Sequence, residues 1–262
     1  VTTIAVTPGL QIGRVFVRTF RLLQGRPVTF LCLAVVFAAI TNGPSAWLAS
    51  RVPQLDPAVA ATDVGGVFRR LGWLELFSVL FSGFATVLSG VGAEVAADEA
   101  AGRPGDLGRT LSTLLRDALP LYAVGVLMTV GVVLGSILLI VPGIIASMAW
   151  CVAGPILVLE RTSITGAFSR SADLTRNNRG ALFLLFLIYG VAGAALTFAV
   201  RALAGESLLA SRPVSPLYMF AIQPALGAVL AAFHTPLLAA IYFELREVKE
   251  GVVAEGLAAV FD

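Results

Sequence analysis

From Leu121 to Leu159 the chain carries no charged side chain, and the run is interrupted once, by Val141-Pro142-Gly143. A helix needs about 20 apolar residues to cross the hydrocarbon of a bilayer. The run is therefore long enough for two crossings, folded back at the Pro-Gly. A buried helix of a soluble protein would keep a polar face, and nothing here supplies one. This feature alone restricts the chain to a membrane architecture.

Further apolar runs extend the pattern to six candidate spans: Pro27–Ala49, Trp73–Ala97, Leu121–Val141, Gly143–Leu159, Ala181–Val200 and Leu217–Phe243. Mean hydropathy is +0.91, and only 13% of residues are charged. Little sequence remains outside the spans, so residues 1–262 read as a single membrane domain. A β-barrel would show segments of about ten residues in strict apolar/polar alternation. The runs are too long for that and do not alternate, which leaves helices.

An even number of spans places both termini on one side. The N-terminal side and its partner loops hold 13 of the 18 basic residues. Positive-inside bias then makes both termini cytoplasmic, in a bacterial inner membrane. No cleavable leader is expected: Arg14, Arg18, Arg21 and Arg26 precede the first run, which is too long and wrongly flanked for one. The net charge of +2 gives no reason to expect a nucleic-acid partner.

Spans one, three and five are each preceded by a basic, amphipathic stretch, at 10–23, 106–116 and 164–176. In the first, Ile12, Val15, Phe16, Thr19, Leu22 and Leu23 recur at helical spacing, with Arg14, Arg18 and Arg21 on another face. That is the pattern of a helix lying in the membrane interface. Gly13, Gly108 and Gly166 stand near the start of each stretch, and Glu94, Glu160 and Glu244 end spans two, four and six. The expected fold is an all-α polytopic bundle of six transmembrane helices. They form three hairpins, each preceded by a cytoplasmic amphipathic interfacial helix.

A set of landmarks follows the Pro-Gly: Pro142-Gly143-Ile144, Trp150, Pro155, Glu160, Ser163, Ala167, Ser171, Leu174-Thr175-Arg176 and Asn178. With Tyr242-Phe-Glu-Leu-Arg246 at the end of span six, this resembles the bacterial six-span families grouped around YciC and the membrane domain of glycerophosphoryl diester phosphodiesterases. The resemblance implies a six-span membrane domain. In the phosphodiesterase fusions a soluble barrel carries the chemistry and the membrane part is accessory. No such barrel lies in this sequence, so that activity is not carried over.

The candidate sites follow. Arg161, Arg170, Arg176 and Arg179 could form a site for anionic lipid, or could serve only to hold orientation. Glu94, Glu160, Glu244 and His234 are expected to be structural polar groups. Glu160 can pair with an arginine of the helix that follows it. His234 lies between Pro224 and Pro236, which should bend or break span six. A hydrogen-bond partner on a neighbouring helix is expected for it. Ser78, Ser82, Thr86 and Gly90 in span two, and Gly131 and Gly135 in span three, form small faces for close helix packing. Cys32 and Cys151 read as small buried apolar groups, without metal-ligand spacing.

No catalytic triad, metal cluster or phosphate-cradling loop is present in the sequence, so neither an enzyme nor a cofactor is expected. Two functions remain. One is a non-catalytic membrane protein that binds lipid or scaffolds the subunits of a larger complex. The other is a transporter or lipid-translocating protein.

Overall fold

The computed structural model describes residues 9–51, 64–105, 107–205 and 215–251. Their regular structure is helical, with no strand among the described residues. The elements are α1 (Ile12–Gly25), α2 (Pro27–Arg51), α3 (Val64–Ala100), α4 (Leu107–Leu138), α5 (Ile140–Trp150), α6 (Ala153–Leu159), α7 (Ile164–Thr175), α8 (Arg179–Leu203) and α9 (Gln223–Glu250). A π-helical turn, Tyr218–Ile222, leads into α9. Residues 52–63 and 206–214, and the side chain of Ser78, lie outside the described residues.

Among the described residues, five segments are long and apolar enough to cross a membrane: Val79–Ala100, Gly108–Leu138, Ile140–Leu159, Arg179–Leu203 and Tyr218–Glu250. A sixth is counted if Ile12–Gly25 and Pro27–Ile40, bent by 98° at their joint, form one span. The bend has a local cause. A residue before proline is pushed out of the α region, and Arg26 takes φ −136°, ψ 61°. Pro27 then opens α2, where its missing N–H costs nothing.

The core lies between α9 and α3. From Thr235 to Leu245 every residue of α9 is buried, so the helix is enclosed on all sides. α3 packs beside it, with Val87, Val91, Val95 and Ala96 inside. α8 contrasts with both. Only Leu182 and Leu185 are buried, and Phe183, Leu187, Val191 and Phe198 face outward. The outer faces of α4 and α5 are equally apolar, with Leu134, Ile137, Leu138 and Ile145 exposed. Apolar surface on that scale suits lipid, not water.

Small residues set the close approaches. A Cβ on Gly125 would meet Thr86 Oγ1 at 2.4 Å and the Ser82 carbonyl at 2.7 Å, so α3 and α4 touch nearly backbone to backbone. Gly131 makes room for Trp150, and Gly90 for Leu121 and Val158. Gly135 and Gly143 bring α4 and α5 together at their turn.

Three expectations need correction. The reversal falls at Leu139, which is extended (φ −161°, ψ 142°), with Pro142 inside the first turn of α5. Proline tolerates that position because no helical N–H is needed there. Secondly, residues 107–116 are not a separate interfacial helix but the start of the 32-residue α4. The first and third stretches end at Gly25-Arg26-Pro27 and Arg176-Asn177-Asn178, where Asn177 adopts φ 70°. The second has only Pro120, and the helix continues through it. Lastly, α9 runs unbroken through Pro236, and the irregularity of the last span is the π turn just before Pro224. Cys32 is also exposed, on the outer side of α2.

At the α3–α9 crossing, a Cβ on Gly92 would sit 1.9 Å from Thr235 Cγ2. A β-branched side chain in a helix cannot easily rotate away. Gly92→Ala is expected to destabilise the bundle by about 1–3 kcal/mol. Thr235→Ser, which removes that methyl, should recover part of the loss. Thermal melting in mild detergent reads both.

Candidate functional site

Every ion pair among the described residues lies at one end of the bundle, where α1, α4 and α8 begin and α3, α6 and α9 finish. The three span-ending glutamates organise this end. Glu244 is fully buried. Arg14 Nη2 approaches its Oε1 to 2.8 Å, and Arg18 Nη1 its Oε2 to 3.6 Å. Arg18 also bonds Glu247 at 2.9 Å. The contacts at Glu244 are charge contacts; neither of its oxygens receives a hydrogen bond of good geometry. They fix α1 against the C-terminal half of α9, helped by Phe16 and Phe20 packing on Phe233.

Glu160 anchors a second network. Arg170 Nε donates to its Oε2 at 3.0 Å, and the Tyr242 hydroxyl donates to its Oε1 at 3.1 Å. Arg170 also bonds Glu250, which pairs with Arg246 at 2.9 Å. Burial acts to lower the Arg170 pKa, but its hydrogen bonds to Glu160 and Glu250, together with their negative charge, outweigh burial and the net shift is upward. The guanidinium is held charged and neutralised within the chain.

The landmark residues after the Pro-Gly form one packed unit. The span breaks at Cys151–Val152, between α5 and α6. The Ala149 carbonyl at the break accepts from the Ser171 hydroxyl at 2.8 Å and the Thr175 hydroxyl at 3.4 Å. Ser163 caps α7 by accepting from the Gly166 N–H at 3.1 Å. Ala167 and Leu174 are buried, and Trp150 meets Phe168 edge to face at 5.3 Å. Asn178 Oδ1 accepts from the Leu10 N–H at 3.0 Å, tying α7 to the start of α1.

Glu94 stands apart. Together with Asp98, Arg103, Arg109, Arg116 and Arg161 it lines a cavity of ≈290 Å³ between α3, α4 and the end of α6. Asp98 receives both Arg103 Nε at 2.9 Å and Arg109 Nη1 at 3.3 Å. Arg116 pairs with its neighbour Asp117 at 2.6 Å. Arg161 makes no ion pair among the described residues and is exposed, with φ 49°. Thr113 lines the cavity beside Glu94, whose Oε2 is buried without a hydrogen-bond partner among the described residues. The cavity therefore offers both signs of charge, with arginines in excess. Its lining has no histidine or cysteine.

The four arginines expected to share a lipid site are not brought together as a set. Arg161 lines the cavity, and Arg170 is neutralised elsewhere. Arg176 is exposed, and Arg179 keeps a buried Nε without a partner. Sequence reading missed Arg103, Arg109 and Arg116 as site residues, although their spacing around Glu94 was visible as a charge cluster. His234 is half-buried, its ring 5.8 Å from that of Tyr189. The Tyr189 hydroxyl donates to the Leu230 carbonyl at 3.1 Å, and among the described residues no hydrogen bond reaches the imidazole. The expected partner is replaced by aromatic packing. No group of three or more His, Cys, Asp or Glu that could hold a metal occurs among the described residues.

No family model matches the chain, and no curated protein or solved structure matches it. The class that the fold supports is an all-helical chain with the helices of a multi-pass membrane protein.

Two predictions follow from the networks. Removing both hydroxyls (Ser171→Ala with Thr175→Val) leaves the Ala149 carbonyl unpaired and should cost about 1–3 kcal/mol, more than either change alone. Equilibrium unfolding in mixed detergent measures this. Arg14→Ala with Arg18→Ala leaves the buried Glu244 unpaired, a loss of about 3–5 kcal/mol. Adding Glu244→Gln should restore much of it, and a melting series of the three variants shows whether it does.

Proposed function

We propose that the chain is a non-catalytic integral protein of a bacterial cytoplasmic membrane that binds phospholipid headgroups in the Glu94–Arg161 cavity. The observation that carries this reading is the cavity itself. It is an arginine-rich recess at the charged end of a bundle whose outer faces are apolar. Arginines at that level attract lipid phosphates. The size, ≈290 Å³, suits a headgroup and not a whole lipid. An apolar groove of ≈420 Å³, lined by Val36, Phe84, Leu88, Ala118 and Tyr122, gives acyl chains a place on the bundle.

Both termini are placed in the cytoplasm, with six spans and with α1 and α7 lying along that face. The basic bias and the clustering of ion pairs at one end support this. Membership in the YciC-like superfamily belongs to the same proposal. It is supported by the landmark residues, whose side chains hold one structural unit together.

The transport alternative rests on the broken span α5–α6. Transporters expose unwound backbone to a substrate. Here the freed carbonyl is taken by Ser171 and Thr175, which argues against an open path. The scaffold alternative would appear as a stoichiometric protein subunit.

Native mass spectrometry after mild purification tests the reading. Phospholipid should be retained at a defined stoichiometry. Each basic residue near an anionic surface is worth about 1 kcal/mol. Arg116→Ala with Arg161→Ala should therefore weaken retention about thirtyfold. A protein subunit retained with no lipid would replace this reading with the scaffold one.

A further inference from the structure

Each span-ending glutamate meets the amphipathic stretch of the next hairpin, and the third meets that of the first. Glu160 meets Arg170, and Glu244 meets Arg14 and Arg18. Glu94 faces the second stretch across the cavity that both line, and the residue beside it there is Thr113. Counting from the shared glycines explains the difference. Arg18 stands five residues after Gly13, whereas Thr113 stands five after Gly108. Arg109, one residue after Gly108 as Arg14 is after Gly13, turns to Asp98. Arg116 bonds Asp117. Both act on Glu94 only from a distance. Among the described residues, Glu94 is thus the one of the three without a guanidinium within ion-pair reach, and its Oε2 is buried and unpartnered there.

A buried carboxylate oxygen of this kind calls for a cationic donor. Across the same cavity the balance has the opposite sign. Asp98 alone answers both Arg103 and Arg109, and Arg161 stands at the rim without a counter-charge. A plain phosphate would satisfy the arginines and be repelled by Glu94. An amine alone would satisfy Glu94 and be repelled by the arginines. A ligand carrying both groups, a few bonds apart, satisfies the two sides together.

We propose that the cavity recognises a phosphoryl group bearing a primary ammonium, as in a phosphoethanolamine headgroup, with Glu94 and Thr113 receiving the ammonium and Arg109 and Arg161 the phosphate. This rests on the headgroup reading above and narrows it to one class. Phosphatidylethanolamine is the lipid source of this chemistry and O-phosphoethanolamine the soluble one. Phosphatidylglycerol lacks the ammonium, and phosphatidylcholine lacks its N–H donors.

The test uses the full chain in nanodiscs. Binding of phosphatidylethanolamine, phosphatidylglycerol and phosphatidylcholine is compared by native mass spectrometry, with O-phosphoethanolamine as a competitor. The wild type should prefer phosphatidylethanolamine, and O-phosphoethanolamine should displace it. Glu94→Gln should lower phosphatidylethanolamine binding about tenfold, the value of one charge-assisted hydrogen bond. It should also raise phosphatidylglycerol binding, because a negative charge is gone; a merely structural glutamate would not invert the preference. Thr113→Arg, which copies the first hairpin, should abolish the preference while keeping the melting temperature, and stands in if Glu94→Gln fails to fold. Equal or tighter binding of phosphatidylglycerol by the wild type overturns this proposal and leaves the headgroup reading intact. No lipid bound, with O-phosphoethanolamine still bound, supports the ammonium–phosphate chemistry and overturns the lipid reading. Neither bound overturns both.

Discussion

A carboxylate at the end of an apolar span must find a cation or a donor, and the charged end of this bundle is arranged around that requirement. Glu94, Glu160 and Glu244 each reach into the amphipathic stretch of another hairpin, so the contacts close in a ring. The closing contact joins Arg14 and Arg18, near the start of the described chain, to Glu244 in its last helix. This explains why α9, last in order, is the most enclosed helix. It is held by α1 at one level and packed on α3 through Gly92 at another. Without the ion pairs, α1 would be held by Val15, Thr19 and Leu22 and by Phe16 and Phe20 on Phe233, a small contact for a helix of 14 residues.

The second requirement concerns the backbone. In hydrocarbon a freed carbonyl needs a partner. The break at Cys151–Val152 meets it with hydroxyls from α7, a helix outside the span. α7 is therefore part of the span's hydrogen bonding as well as a surface element. Arg170 on the same helix is fixed by Glu160, one residue beyond α6. A break secured from two directions behaves as a static joint. It turns the chain toward Glu160, and it leaves the Ala149 carbonyl bonded.

The sequence was most legible where one local force dominates. Long apolar runs marked the spans, and Arg26-Pro27 marked the sharp joint. Legibility failed where two signals compete. Pro142-Gly143 looked like the hairpin turn, yet proline fits the first turn of a helix as well as a loop, and the reversal moved to Leu139. The second amphipathic stretch looked like its counterparts, yet it lacks their glycine or asparagine stop and stays continuous with its span. The site failed for another reason. Arg161, Arg170, Arg176 and Arg179 are close along the chain, but Arg170 is consumed by Glu160 and Glu250. The arginines that do gather come from the end of α3, the start of α4 and the residue after Glu160. Nothing in one segment shows that three segments meet.

The cavity is also where the chain departs from its cheaper local choices. Arg161 follows the cap of α6 in the left-handed region, where a side chain costs about 1–2 kcal/mol that glycine would avoid. Gly251, the C-cap of α9, takes φ 65° without that cost. Thr113 leaves a buried carboxylate oxygen unpartnered where an arginine, as at position 18, would neutralise it. Either departure alone could be tolerated without meaning. Both border the same ≈290 Å³ of space, from helices far apart in sequence. Strain and unmet polar groups concentrate at functional sites because the surrounding structure can hold them there. Elsewhere at this end Arg14, Arg18 and Arg170 are matched to acids and the Ala149 carbonyl is bonded, while Asn177 is also left-handed and the Glu244 oxygens and Arg179 Nε have no hydrogen-bond partner among the described residues. A left-handed Arg161 and an unmet Glu94 oxygen at one cavity are what the headgroup proposal needs, charges that the chain leaves available to a ligand.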